Sequence, residues 1–217
     1  MPSHKIHLAI AKIVNEKINK DLDSLMIGSV LPDLTISRNH DISHYQEQGT
    51  YDSELANPDK FIEDYKTQLD NPVMIGYLIH LLTDRFYNDY FFKNHCLLNE
   101  KGIPHAVKLK NGKISENIKK YKQSDFNKYD KWLLKHKYIT KFESYNCLNN
   151  VSNLKVASFD KNFLQEYIKK ANLESDSPSK YRINSFWFYK VLNKKELDKV
   201  LEDCIEYIEA YLKKHIR

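Results

Sequence analysis

Two residues in the middle of an apolar stretch could do chemistry. His80 and Asp84 lie four apart in NPVMIGYLIHLLTDRFYNDYFFKN, residues 71–94. A four-residue step is about one helical turn, so the imidazole and the carboxylate stack on one face of any helix formed here. The neighbours Val73, Met74, Ile75, Leu78, Ile79, Leu81 and Leu82 are apolar on every side, the pattern of a buried helix. An ionised aspartate in such a helix costs several kcal/mol unless it meets a partner or a cation. Burying an imidazole and a carboxylate together calls for a further donor or a metal ion.

Other residues of the same chemistry precede this pair. In chain order the candidates are His7, Asp33, His44, His80 and Asp84, and seven of the nine histidines fall within the first 105 residues. An imidazole and carboxylate set suits zinc, iron or manganese rather than calcium or a thiolate-bound metal. A catalytic site of this kind keeps one coordination position open for water and lowers its pKa to about 7. Each residue also has a plainer role: His7 as a hydrogen-bonded core histidine, Asp33 as a cap, and His80 with Asp84 satisfying each other.

The elements that must position these residues read as helices. Residues 4–20 repeat Ile6, Ile10, Ile13, Val14 and Ile18 at helical spacing behind Ser3 as cap, which turns His7 inward or along the core edge, with His4 over the same face. LDSLMIGSVLPDL is a short apolar helix ending at Pro32, with Asp33 at the mouth of a polar loop that carries His40, Asp41 and His44. Asn57–Pro58 and Asn71–Pro72 open two further helices, 58–70 and 72 to about 94. Asn111-Gly112 between short alternating runs predicts a small two-stranded flap at 105–114, whose Lys108, Lys110 and Lys113 could face an anionic substrate. Beyond it, helices are expected over 115–122, 125–137, 159–172, 179–192 and 194–215. Five glycines, six prolines and no linker composition predict one all-α domain spanning 1–217, with a metal-site half at 1–95 and a helical remainder at 115–217.

Composition excludes several classes. A net charge of +5 lacks the concentrated basic patch of a nucleic-acid binder. The three cysteines, Cys96, Cys147 and Cys204, form no CxxC pair, so neither a disulfide framework nor a thiolate zinc site is expected. The start has no signal-peptide pattern, and the one long apolar helix carries His80, Asp84, Arg85 and Asp89, so no transmembrane segment is expected and a cytoplasmic location follows.

The order of these motifs resembles the zinc-dependent phospholipase C family, whose all-helical fold is shared with fungal single-strand zinc nucleases. The matching elements are His7 in IHLAIAKIV, Asp33 ending GSVLPD, the Ser43-His44-Tyr45 tripeptide, and His80 with Asp84 in IHLLTD. The resemblance covers roughly residues 1–95. It implies that Asp33, His44, His80 and Asp84 hold one zinc and that Asp84 bridges to a second held also by His7. In the family the second ion also takes the free N-terminal amine. Several residues precede His7 here, and His4 is the natural substitute. The family's remaining ion needs a histidine near six residues beyond Asp84, where Tyr90 stands; His95 and His105 fall in no His-x-x-x-Glu. One or two ions, zinc first with iron or manganese possible, are therefore expected.

The reading is a metal-dependent hydrolase of small anionic phosphate esters, phosphodiesters first, in which activated water attacks phosphorus and Asp33 positions it. Two rivals stand beside it. His40-Asp41 resembles the ligand pair of HD-type nucleotide phosphohydrolases, although it lies in a polar loop with no helical pattern around it. The third reading is a non-catalytic helical metal-binding protein.

Overall fold

The structure is a computed structural model and describes residues 2–36, 39–46, 51–52, 55–177 and 189–216. Its centre is α5, Pro72–His95. Asn71 caps it by accepting from the Val73 amide, and Pro72 occupies the first turn, where its missing N–H goes unneeded. Nearly every residue from Val73 to Asp84 is buried.

Around α5 pack α1 (His4–Ile18), α2 (Leu22–Gly28), α4 (Pro58–Tyr65) and α8 (Lys194–His215), while α6 (Ile118–Lys135) lies on α1. α1 ends at Asn19, whose left-handed conformation (φ 49°) closes the helix. α2 and α5 approach closely, because Gly28 and Gly76 face each other across the contact. A Cβ on Gly76 would stand 2.2 Å from the Leu25 carbonyl oxygen, and one on Gly28 would stand 2.1 Å from that of Val73. Gly76 thus admits the close approach of α2.

Pro32 does not end the chain's helical path. Residues Leu31–Leu34 form a 3-10 turn with Asp33 inside it. The long loop expected after it contains α3, His40–Ser43, capped by Asn39. The polar surroundings of His40 and Asp41 concealed this single turn, because a helix so short shows no periodicity.

After α5 comes a sheet of three strands rather than a two-stranded flap: β1 Cys96–Leu98, β2 Pro104–Lys108 and β3 Ile114–Ser115, all antiparallel. The Asn-Gly turn joins β2 to β3 as expected, with Gly112 at φ 81°, a conformation that suits glycine. The extra strand comes directly off α5, where Cys96 pairs with Val107. α6 is continuous through 122–125, where a break was expected. Lys122 and Asp125 interrupt the apolar pattern but are both buried, and Asp125 accepts the backbone N–H groups of Lys190, Val191 and Leu192. α7 spans Lys161–Asp176. Most of the helix expected over 179–192 lies outside the described residues, and the described residues 189–192 are not helical. The architecture is all-α with a small sheet, and no helix among the described residues is long and apolar enough to cross a membrane.

Candidate metal centre

His7 from α1, His44 from the end of α3, and His80 and Asp84 from α5 are completely buried and converge. The spacing read from the sequence does its part: His80 Nε2 lies 3.7 Å from Asp84 Oδ2 across one turn. His44 Nε2 reaches the same oxygen at 3.2 Å, while His7 Nε2 approaches the other, Oδ1, at 3.3 Å. The two carboxylate oxygens of Asp84 therefore face different imidazoles, Oδ1 that of His7 and Oδ2 those of His44 and His80. His7 also stacks on His80, with ring centroids 3.9 Å apart.

The tautomers follow from the backbone. His80 Nδ1 sits 2.8 Å from the Ser29 carbonyl oxygen, and His44 Nδ1 sits 2.9 Å from that of His40. A carbonyl only accepts, so both Nδ1 atoms carry the proton and donate it. Both Nε2 atoms are then lone-pair acceptors, and they face each other at 2.9 Å. Two lone pairs at that distance repel unless a proton or a cation lies against both. Imidazoles whose outer nitrogen donates to a carbonyl are the ordinary form of metal-ligating histidine.

Hydrogen-bond accounting gives the same answer. The contacts to Asp84 lack hydrogen-bond geometry, so both its carboxylate oxygens, and both ring nitrogens of His7, are buried without a bonded partner. Such atoms cost roughly 1–3 kcal/mol each, more when charged. Burial pushes the Asp84 carboxyl up, but the facing imidazoles of His80, His44 and His7 outweigh it and hold it well below the usual carboxylate range. Burial, with His7 beside it, pushes His80 well down. Asp84 is thus held toward its anionic form and His80 toward its neutral one, the protonation states that metal binding requires.

Asp33 is at the edge of this cluster, its side chain 9% exposed. Its oxygens contact His4 Nε2 at 3.3 Å and His44 Nε2 at 3.7 Å. Burial would raise its carboxyl, but the His4 contact and His80 outweigh burial and hold it low. Asp33, His4 and His40 open onto a cleft of about 800 Å³ between α1, α6 and the sheet.

A family model described as zinc dependent phospholipase C matches residues 3–214. The chain belongs to the zinc-dependent phospholipase C family. The match extends well past the 95 residues that carried the resemblance in the sequence, and it makes a metal-dependent phosphoester hydrolase with zinc the general description. No curated protein and no solved structure matches the chain.

Among the described residues, the groups able to share one ion are His7–Asp33–His80, Asp33–His40–His44 and His44–His80–Asp84, their ligand atoms within 4.8 Å of one another. Five of the six residues expected from the sequence recur in these groups. His4 is in none of them: its imidazole contacts Asp33, itself a member of two of the groups. His40 enters the cluster, stacked on His44 with centroids 3.6 Å apart. Its spacing of four from His44 repeats that of His80 and Asp84, and this was the available signal. Asp41 is exposed. The His-Asp pair is thus split, although it does sit on a helix. His95 pairs with Glu196 at 2.6 Å and His105 is exposed on β2, and neither belongs to any of the groups above.

None of the flap lysines Lys108, Lys110 and Lys113 lines the cleft. Lys108 and Lys113 are exposed, and Lys110 donates to the Leu192 carbonyl. The sheet contributes Ile103 and Pro104 to the cleft wall, and the cations there are Lys5, Lys119 and Lys122. Sequence reasoning missed Lys122 because a lysine on a charged helix ordinarily reads as solvated.

Proposed function

We propose that this chain hydrolyses phosphodiesters with one or two zinc ions held by His7, Asp33, His44, His80 and Asp84. The observation that carries the reading is the pair of Nε2 atoms facing each other at 2.9 Å beside a buried carboxylate with no hydrogen bond. That donor set fits a borderline divalent cation, and iron or manganese would be accepted by the same atoms. Zinc bound there supplies Lewis-acid activation of water and of the phosphoryl oxygens.

The residues of the chain do the rest. His80 and His44 are fixed by backbone carbonyls and cannot turn away from the site. Asp84, sealed under the histidines, presents one oxygen to each side of the cluster. Asp33 reaches the cleft, and its carboxyl stays ionised, so it is available to accept a hydrogen bond from an attacking water and orient it in line with phosphorus. The closed wall of α5, α2 and α1 keeps other water out, which strengthens every charge interaction inside.

An open side facing a cleft supports catalysis over a purely structural ion, whose four positions would be filled by protein. The test is elemental analysis of unchelated protein together with hydrolysis of bis(p-nitrophenyl) phosphate and p-nitrophenyl phosphate. Bound zinc with faster diester turnover supports the reading; metal-free protein, or metal with no turnover of either ester, sinks it.

A further inference from the structure

Among the described residues, one buried cation lining the cleft beside the metal cluster has no carboxylate in an ion pair with it. Lys122, on α6, lines it and is 6% exposed. Its ammonium donates to Asn88 Oδ1 at 2.7 Å and lies 5.5 and 5.0 Å from the ring centroids of Phe91 and Phe92. Among the described residues no carboxylate stands within ion-pair distance of it. Two other lysines that are partly exposed do have carboxylates: Lys5, also in the cleft, has Glu174 at 2.8 Å, and Lys128, further along α6, has Asp125 at 2.9 Å. A buried ammonium held by a neutral amide and two ring faces is incompletely compensated, because charges taken out of water need an opposite charge to offset desolvation. The two carboxylates that share the cleft have their own partners, Asp33 with His4 and Asp130 with Ser3.

We propose that Lys122 is a specificity-determining residue that binds an anionic substituent of the substrate, and that the enzyme prefers phosphoesters carrying a second negative charge over those carrying a quaternary ammonium. This rests on the phosphoester-hydrolase reading above. Three features support it. Lys122 and the metal-site residues Asp33 and His40 line one cavity, so a single ligand can touch both. Asn88 fixes the ammonium from the helix that carries His80 and Asp84. The face of Phe92, the aromatic ring lining the cleft, is where a quaternary ammonium would bind, and Lys122 is already over it. A cationic head group would therefore meet a like charge where it needs an aromatic face.

The experiment measures binding of ethyl phosphate, carboxyethyl phosphate and choline phosphate to the zinc-loaded full chain by calorimetry. The wild type is compared with Lys122→Met, Lys122→Arg and Asn88→Asp. Wild type should bind carboxyethyl phosphate roughly tenfold tighter than ethyl phosphate, and choline phosphate more weakly than either. Lys122→Met should bring the carboxyethyl-to-ethyl ratio near one while raising the melting temperature, since it removes a buried charge. Lys122→Arg should retain the ratio. Asn88→Asp keeps the lysine but gives it an internal carboxylate, and should also collapse the ratio, so the question survives if one variant misfolds. Equal affinities in wild type, or a ratio unchanged in both Lys122→Met and Asn88→Asp, would overturn the assignment. Turnover of bis(p-nitrophenyl) phosphate is followed in parallel: turnover without anion preference defeats only Lys122, whereas anion preference without turnover defeats the hydrolase reading and leaves the anion site standing.

Discussion

His44 and His80 point their Nε2 atoms at each other across 2.9 Å while each donates its Nδ1 proton to a backbone carbonyl, of His40 and Ser29 respectively. The backbone thus compels two lone pairs to converge on one spot, and Asp84 completes it. The size of one mutational effect should depend on metal. In chelated protein Asp84→Asn removes a carboxylate that the surrounding imidazoles hold in its charged form, and should lower stability modestly. In zinc-loaded protein the same change should lower the melting temperature further, release zinc and cut kcat/KM at least ~100-fold. Thermal melts with and without chelator check it, and an equal loss in both would argue against a cation at Asp84.

Gly76→Ala tests the helix contact that places Ser29. The added methyl would meet backbone atoms of Leu25, Gly28 and Ser29, none of which can swing aside as a side chain could. Although alanine is ordinarily the better helix former by about 1 kcal/mol, here it should destabilise by ~3 kcal/mol or more and weaken zinc binding. Urea denaturation and zinc titration measure the two effects, and a stabilised variant would mean the helices part without harm.

His40→Ala and Asp41→Ala should separate two neighbours. His40 stacks on His44 and shares an ion-sized group with Asp33, so its loss should weaken zinc affinity roughly tenfold or more. Asp41 is exposed, and its loss should leave zinc content and turnover within about twofold of wild type. Zinc loss in Asp41→Ala would revive the His-Asp pair as ligands.

Asp130 should make stability fall with rising pH. Burial pushes its carboxyl up from the ordinary 3.8 to about 6, against the bond from Ser3 and the charges of Lys5 and His4. A pKa raised in the folded state contributes stability that is complete below pH 3.8 and is lost as pH rises through about 6. The loss is about 3 kcal/mol by the usual conversion. Asp130→Asn should therefore melt several degrees higher than wild type at neutral pH and equal to it near pH 4. Melting curves across that window test it, and a variant no more stable at pH 7 would show that the charge is compensated.

How much of this was legible in the sequence depends on how local each signal was. α1 and α5 were readable because their caps and apolar repeats span many residues, and Asn71–Pro72 marks the start of α5 to the residue. The pairing of His80 with Asp84 needed only helical spacing. His44 was different: it is buried at the end of a single helical turn, held by the Tyr77 hydroxyl on the Ser43 carbonyl and by the Asn57 amide on its own, none of which is close in sequence. Its position could be expected from the family resemblance but not from its surroundings. The same holds for Lys122, whose burial arises from Asn88, Phe91 and Phe92 on another helix.

His80, Asp84 and Asn88 follow one another at intervals of four along α5. A helix rises 1.5 Å per residue, so each step is about 6 Å along one nearly straight edge. The middle mark carries Asp84 among the imidazoles, and the last holds the lysine through Asn88. On the proposed reading α5 acts as a ruler: the gap between a substrate's phosphorus and its second anionic group would be set by the pitch of a backbone that cannot stretch, and substrates should be sorted by length as well as by charge.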